Sequence, residues 1–226
     1  MNNYLLFVAN QVFDKSSLRQ LLVKCSELFD QNERFALSDS VITTAIKKFQ
    51  GSNTIQAVLP KVMLINSFYS TQIYDTEKIA KHILNTVSGR RLASGDLSLV
   101  DDMRCGHGIR AKKTGREIDF YSFATKYAAL HEPTKYPLFD SLVMRLLTAL
   151  NKQLRFCPHF TQSNLREYRR YVSVIDALLV YTGLESFKYK RLDQGLWVYA
   201  KYLYAQSNLM AKEVDSITTE VQRYGK

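Results

Sequence analysis

The segment Phe120-Tyr121-Ser122-Phe123-Ala124-Thr125-Lys126-Tyr127-Ala128-Ala129-Leu130 is apolar and aromatic apart from a single lysine. Its apolar side chains recur at helical spacing, so we predict a largely buried helix here. A lysine in such a helix is either exposed on a narrow stripe or desolvated, and desolvation favours the neutral, nucleophilic amine. Asp140 lies fourteen residues after Lys126, behind the turn Tyr136-Pro137-Leu138-Phe139. An amine and a carboxylate among apolar residues indicate a chemical role.

Helices are predicted for most of the chain. Glycine and proline are scarce, at nine and four residues, and apolar residues recur every three or four positions. Strand signals are nearly absent, which makes the predicted fold class all-α. Asp140 is itself expected to be the N-cap of the helix that follows it. The other predicted helices begin at Ser16-Ser17 and lie over 38–49, 62–84 with an interruption near Asp75-Thr76, 96–100, 163–184 and 192–209.

The chain is long enough, at 226 residues, for one large domain or two small ones that share a core. Its hydrophobic content of 46% excludes a wholly disordered protein. We predict one compact helical unit over residues 1–226, with two helical lobes around a cleft. One lobe is expected at 60–150, and the other at 1–59 together with 151–226.

An excess of basic residues favours a polyanionic partner. Thirty-one Lys and Arg against 21 Asp and Glu give a formal charge of +10, as expected of a protein that binds nucleic acid or an acidic membrane surface. Many of these cations fall in the glycine-containing segment 88–117, which we predict to be a basic loop region. Its candidate phosphate-binding residues are Arg90, Arg91, Arg110, Lys112 and Lys113.

The sequence favours a cytoplasmic protein without a metal. No apolar run approaches the ~20 residues of a membrane span, and the N-terminus lacks a basic region before its short apolar patch. Cys25, Cys105 and Cys157 are far apart and odd in number, as expected of reduced thiols. Cys105-Gly106-His107 and Cys157-Pro158-His159 have one intervening residue, fewer than the roughly two to four of most structural zinc pairs. We expect no metal or organic cofactor.

Three segments resemble the helix-hairpin-helix DNA glycosylase superfamily, and they look most like its 8-oxoguanine DNA glycosylase branch. Residues 122–128, Ser-Phe-Ala-Thr-Lys-Tyr-Ala, sit where the family has its Gly-hydrophobic-Gly-x-Lys-x-Ala hairpin. Residues 136–143, Tyr-Pro-Leu-Phe-Asp-Ser-Leu-Val, resemble the segment that leads to the family's catalytic aspartate, and 62–73 is similar to the helix that ends in a base-displacing residue. The resemblance covers residues 60–150 and implies an enzyme that removes a damaged or modified base from duplex DNA. We expect it to act as a monomer.

The resemblance also implies a role for individual residues. Lys126 would attack the sugar C1′ and then promote β-elimination, and Asp140 would stabilise positive charge on the sugar. Tyr69 would be the wedge that fills the gap left by the flipped base, with Gln72 as the alternative after a small shift of register. The residues that could stack on the base are Tyr121, Phe123, Tyr127, His131 and Trp197. A core position is the alternative for the Tyr and Phe residues, and a helix-end position is the alternative for His131.

Two departures from the family pattern leave a second hypothesis open. Ser122 and Ala124 replace the two hairpin glycines, whose tight turn grips a DNA phosphate in the family. The spacing from Lys126 to Asp140 is also shorter than in the 8-oxoguanine enzymes. A chain with this fold and an altered motif would instead be a non-catalytic DNA- or protein-binding module, for example in phage defence. The two hypotheses differ in whether a base is released.

Overall fold

A computed structural model describes residues 14–208 of the chain. This part of the chain is built from helices, which confirms the all-α prediction. The α-helices are, in chain order, α1 (Lys15–Gln31), α2 (Glu33–Lys48), α3 (Ile55–Tyr69), α4 (Thr76–Thr86), α5 (Gly89–Ser94), α6 (Ser98–Arg104), α7 (Tyr121–His131), α8 (Ser141–Leu154), α9 (Tyr168–Thr182) and α10 (Lys188–Asn208). Short 3₁₀ turns lie at Asn164–Arg166 and Glu185–Phe187.

Local capping explains where several helices begin. The predicted interruption of 62–84 is confirmed, because α3 ends at Tyr69 and Asp75 caps α4 by accepting a hydrogen bond from Lys78 N. The cap of α1 is Asp14 and not Ser16-Ser17, since Asp14 and Ser17 form a reciprocal capping box. The helix predicted to begin at Ser163 begins instead at Tyr168, after a 3₁₀ turn.

The predicted basic loop region is partly helical. Two short helices, α5 and α6, replace the single helix expected at 96–100, so Arg90 and Arg91 lie in a helix. Ser88 caps α5 through a hydrogen bond from Arg91 N, and Gly95 ends it at a φ of 77°. Residues 105–120 remain irregular and include an isolated antiparallel bridge between Arg110 and Glu117.

The chain divides into two compact units. The central unit runs from Ala36 to Phe139, and the terminal unit combines the residues up to Phe35 with those from Asp140 onward. The boundary at Phe139 and Asp140 places the lysine and the aspartate of interest in different units. No helix among residues 14–208 has the length and hydropathy needed to span a membrane.

The core of the terminal unit forms where α1 packs against α10. Gly195 of α10 lies so close to α1 that a Cβ added there would be 2.6 Å from the Leu22 carbonyl oxygen. Trp197 contacts the rings of Phe29 and Phe35 at centroid distances of 6.2 and 4.8 Å. Arg19 donates a hydrogen bond to the Thr182 carbonyl at the end of α9. Glycine at 195 is therefore what lets the two helix backbones approach.

Candidate active site around Lys126

Helix α7 carries the lysine and is mostly buried in the central unit. Asp119 accepts a hydrogen bond of 3.0 Å from Tyr121 N and so satisfies a backbone donor of the first turn. Asp119 is in turn bonded by the guanidinium of Arg104, which lies 4.2 Å from the centroid of the Tyr121 ring. Phe123 is fully buried, and Tyr127 is 3% exposed. The helix therefore presents few side chains to solvent.

Lys126 is buried, with 2% of its surface exposed. Its Nζ donates hydrogen bonds to Ser122 Oγ at 2.6 Å and to the Phe139 carbonyl at 2.9 Å. The same nitrogen lies 5.6 Å from the centroid of the Tyr69 ring. The sequence left open whether Lys126 is exposed on a narrow stripe or desolvated, and the structure shows that it is desolvated.

The segment that leads to Asp140 is hydrogen-bonded to α7 through both the backbone N–H and the carbonyl of Phe139. Phe139 N donates to Thr125 Oγ1 at 3.2 Å, and the Phe139 carbonyl accepts from Lys126 Nζ. Thr125 Oγ1 in turn donates to the Ser122 carbonyl. Lys126 therefore has a structural role, because it holds the residue that directly precedes Asp140.

Asp140 is the N-cap of α8, as predicted. Its Oδ1 accepts hydrogen bonds from Leu142 N at 2.7 Å and from Val143 N at 3.4 Å. Its backbone is extended, with φ of −133° and ψ of 142°, as an N-cap requires.

The two wedge candidates have different surroundings. Lys126 Nζ lies over the ring of Tyr69, which is at the end of α3, whereas Gln72 is exposed in the following loop. The loop backbone is unusual, because Ser70 and Gln72 have φ values of 49° and 60°. Such left-handed conformations are uncommon for residues other than glycine. Tyr69 is therefore placed to orient the lysine, and Gln72 stays a candidate for contact with DNA.

His131 forms a buried pair with Lys61, a residue that the sequence analysis did not single out. His131 Nδ1 lies 2.7 Å from the Tyr127 carbonyl, which only accepts, so Nδ1 carries the proton. His131 Nε2 is then the acceptor for Lys61 Nζ at 3.3 Å. Burial, opposed by the Tyr127 hydrogen bond and reinforced by the charge of Lys61, lowers the pKa of His131 to about 4. Burial also lowers the pKa of Lys61.

This pair predicts an acid-sensitive contribution to stability. The unfolded chain binds a proton at His131 near pH 6.5, whereas the folded chain does so only near pH 4, so stability is lost as pH falls through this window. The free energy of unfolding should decrease by about 1 to 2 kcal/mol more between pH 7 and 5 in the parent than in His131→Gln, which keeps an acceptor for Lys61. Urea unfolding at the two pH values measures the difference. An identical decrease in both proteins would contradict it.

The remaining base-pocket candidates lie in two different places. Tyr121, Phe123 and Tyr127 are core residues of the central unit, and the Tyr121 and Phe139 rings lie 4.6 Å apart. Trp197 belongs to the terminal unit and packs in its core. For Tyr121, Phe123 and Tyr127, a core position is the alternative that the sequence left open.

Of the five basic candidates, one forms ion pairs within the protein and the other four are exposed. Arg91 is bonded to the carboxylates of Asp96 and Asp102, each at 2.7 Å, so it stabilises the turn between α5 and α6. The sequence did not show that these two acids converge on it. Arg90, Arg110, Lys112 and Lys113 are exposed and stay candidates for phosphate contact.

Neither Cys-x-His pair contributes to a metal cluster in the part of the chain that the structure describes. His107 is buried, and its Nε2 lies 2.9 Å from the Ile118 carbonyl while its Nδ1 accepts from Ile109 N. Burial raises the pKa of the Cys105 and Cys157 thiols, which favours the neutral form over a metal-binding thiolate.

Two buried polar residues of the central unit were not singled out from the sequence: Thr125, which bonds Phe139 beside Lys126, and Lys61, which bonds His131 and not Lys126. Lys61 offers the same signal as Lys126, a lone cation inside an apolar helix with Val58 and Val62 beside it. Thr125 offers no such signal, because its hydrogen bond to Phe139 depends on how the chain returns to α7.

Comparison with known proteins places the chain in a family. The family model HI_0787_N, described as an N-terminal domain, matches residues 18–135, which include Lys61, Lys126 and His131. A relative from Haemophilus influenzae (strain ATCC 51907 / DSM 11121 / KW20 / Rd), named "Uncharacterized protein", is 34% identical over 154 residues that cover 68% of this chain and 71% of the relative. No solved structure matches. The chain therefore belongs to the HI_0787_N family.

Proposed function

We propose that this protein is a DNA glycosylase with associated β-elimination lyase activity, on a helix-hairpin-helix glycosylase fold, that excises a damaged or modified base from duplex DNA. The observation that carries the proposal is the buried amine of Lys126, which is bonded to the carbonyl of the residue directly before Asp140. The +10 formal charge supports a DNA substrate.

The reaction begins at the sugar C1′ of the target nucleotide. The neutral amine of Lys126 forms a bond to C1′ as the bond from C1′ to the base breaks, and the base leaves with the electron pair and takes up the proton that the attacking nitrogen releases. Positive charge develops on the sugar as that bond breaks, and the carboxylate of Asp140 stabilises it. Opening of the sugar ring then yields a Schiff base on Lys126, which permits β-elimination and strand cleavage.

Borohydride trapping of the protein on modified duplexes tests this proposal. The duplexes carry 8-oxoguanine, uracil, hydroxymethylated or glucosylated cytosine, or an abasic site, with an unmodified duplex as the control. We expect a covalent complex on at least one duplex with a modified base, because borohydride reduces the Schiff base to a stable amine. Heat and alkali treatment of the same reactions detects base release without a Schiff base. No cleavage and no trapping on any duplex would contradict the proposal.

Two substitutions of Asp140 distinguish the effect of its charge on base release from its role as the N-cap of α8. Asparagine caps a helix about as well as aspartate but carries no charge, so Asp140→Asn should slow base release by about a hundredfold with an unchanged melting temperature. Asp140→Ala should slow base release equally and also lower the free energy of unfolding by about 1 kcal/mol, since the bonds to Leu142 N and Val143 N are lost. Single-turnover base release and thermal melting measure the two effects. Unchanged base release in Asp140→Asn would remove this residue from the mechanism.

A second candidate function is a non-catalytic DNA- or protein-binding module on the same fold, for example in phage defence. The observation that favours it is the structural role of Lys126, whose Nζ bonds both Ser122 and Phe139. It predicts that salt-sensitive DNA binding survives Lys126→Gln and that no duplex releases a base. Phage-modified cytosine in the trapping panel separates a defence enzyme from such a module.

A further inference from the structure

We propose that the central unit holds a binding surface for DNA with an unpaired base, formed by a rigid loop that presents Tyr74 and by a basic hairpin. The loop comprises residues 70–74 and is called the stacking loop. The basic hairpin comprises residues 109–118. The inference deepens the proposed function by naming a DNA structure that the protein prefers, and it requires no catalysis.

Tyr74 is the first element of this surface. Its side chain is 91% exposed, more than any other large hydrophobic residue that the structure describes. A tyrosine ring stacks on a nucleobase whatever the base identity, because every base has a π face. In a fully paired duplex the bases are already stacked on one another, so the ring would need an unpaired base.

The stacking loop is held in one conformation by the side chain of Asn66. Asn66 Oδ1 accepts from Ile73 N and from Thr71 Oγ1, each at 2.9 Å, and its Nδ2 donates to the Ile73 carbonyl. Ser70 and Gln72 adopt left-handed backbone conformations within this frame. Such conformations persist in residues other than glycine only where the surroundings enforce them. Tyr74 is thus presented in advance of binding, which reduces the entropy lost when a base stacks on it.

The basic hairpin is the second element. Its arms are joined by hydrogen bonds from Ile118 N to the Ile109 carbonyl and from Ala111 N to the Arg116 carbonyl, at 2.9 and 2.8 Å. Gly115 closes the tip at a φ of 64°. The exposed cations of the hairpin are Arg110, Lys112, Lys113 and Arg116. Four cations with one carboxylate, Glu117, make this segment strongly positive.

Hydrogen bonds to the Glu117 carboxylate form the base of the hairpin, and the cations nearer its tip are exposed to solvent. The carboxylate of Glu117 accepts from Gly106 N at 3.2 Å and Gly108 N at 2.6 Å. These hydrogen bonds lower the pKa of Glu117, so the negative charge of this carboxylate is held at the base of the hairpin. Exposed cations on an ordered backbone suit the phosphates of a DNA strand.

Both elements are joined through α4. Lys78, in the first turn of α4, donates to the Gly108 carbonyl at 3.1 Å, one residue before the hairpin begins. Asp75, the cap of that same turn, directly follows Tyr74. The base of the hairpin is therefore bonded to the first turn of α4, whose cap directly follows Tyr74, and a strand that bonds the hairpin through its phosphates would place an unpaired base on Tyr74.

Fluorescence anisotropy on unmodified DNA tests the surface. The probes are a labelled oligothymidylate of about a dozen nucleotides and a duplex of the same length. We expect tighter binding to the single strand, about tenfold weaker binding to it for Tyr74→Ala, and near-parent binding for Tyr74→Phe. Met63→Ala, at a side chain that is 53% exposed in the same unit, is the matched control and should bind like the parent. Equal affinities of Tyr74→Ala and the parent, or tighter binding to the duplex, would overturn the stacking role.

Binding measured at a series of salt concentrations tests whether the cations of the hairpin contact DNA or only add to the net charge of the protein. The double variant Lys112→Ala, Lys113→Ala should reduce the slope of log affinity against log salt by ~0.7 for each phosphate that the variant no longer neutralises. Lys47→Ala, Lys48→Ala removes the same charge from exposed positions in α2 and should leave the slope unchanged. Equal changes in the two double variants would overturn the hairpin assignment. Because the DNA is unmodified, failure here is distinct from failure of base excision.

Discussion

Lys126→Gln is expected to abolish borohydride trapping and strand cleavage on the duplex that the parent attacks. Glutamine has no nucleophilic amine and forms no Schiff base, so the covalent signal should fall to background and not merely weaken. Base release should fall with it if the same amine displaces the base. The measurement is the yield of covalent complex on a denaturing gel, with DNA binding measured in parallel by anisotropy.

Lys61→Gln is the matched control for this variant. Lys61 is the other buried lysine of the central unit among the described residues, with 4% of its surface exposed, and it bonds His131 and the carbonyl of Phe49. It should retain trapping, because removal of a buried lysine elsewhere in the unit leaves the Lys126 amine in place. Circular dichroism and thermal melting establish that both variants fold. Trapping by a folded Lys126→Gln protein would exclude Lys126 as the nucleophile.

Gly195→Ala is expected to cause the largest loss of stability among the substitutions proposed. The added Cβ would lie 2.6 Å from the Leu22 carbonyl oxygen and 3.4 Å from the Leu22 carbonyl carbon, which are backbone atoms of α1. Overpacking costs about 1 to 3 kcal/mol and occasionally more, and we expect the upper end here because the clash is with backbone atoms, against a gain of about 1 kcal/mol from replacing glycine within a helix. We expect the free energy of unfolding to fall by at least about 2 kcal/mol, measured by urea denaturation.

Gly89→Ala provides the comparison, because it is also a glycine-to-alanine change in a helix. Nothing lies within 4 Å of a Cβ added at Gly89, so this variant should be as stable as the parent or more stable by up to about 1 kcal/mol. The two substitutions together separate helix propensity from the close approach of α1 and α10. Equal stability of Gly195→Ala and the parent would contradict the close packing.

The helices follow from the sequence, because their signals are local. Apolar periodicity predicts the buried faces, and the structure confirms both the interruption near Asp75 and the helix start at Asp140. The starts expected at Ser16 and Ser163 are wrong, because a cap is chosen by hydrogen bonds among several candidate side chains. Asp14 forms a capping box with Ser17, and a 3₁₀ turn delays α9 to Tyr168.

The surroundings of the candidate site depend on contacts between residues that are far apart in the chain. The sequence could show that Lys126 is a lone cation in an apolar helix, but not whether it is exposed or buried, since both occur at that spacing. Its bond to Phe139, the bond between Lys61 and His131, and the ion pairs of Arg91 each join separate segments.

From the amino-acid sequence alone it follows that the chain is all-α, where most of its helices lie, that it is strongly basic, and that Lys126 and Asp140 stand out as an amine and an acid. The packed structure was needed to show that Lys126 is buried, that Arg91 is committed to carboxylates, and that Tyr74 is exposed on a loop held by Asn66. The two sets of properties differ because helix formation and capping depend on neighbours within a few residues, whereas burial and ion pairing depend on which distant segments pack together.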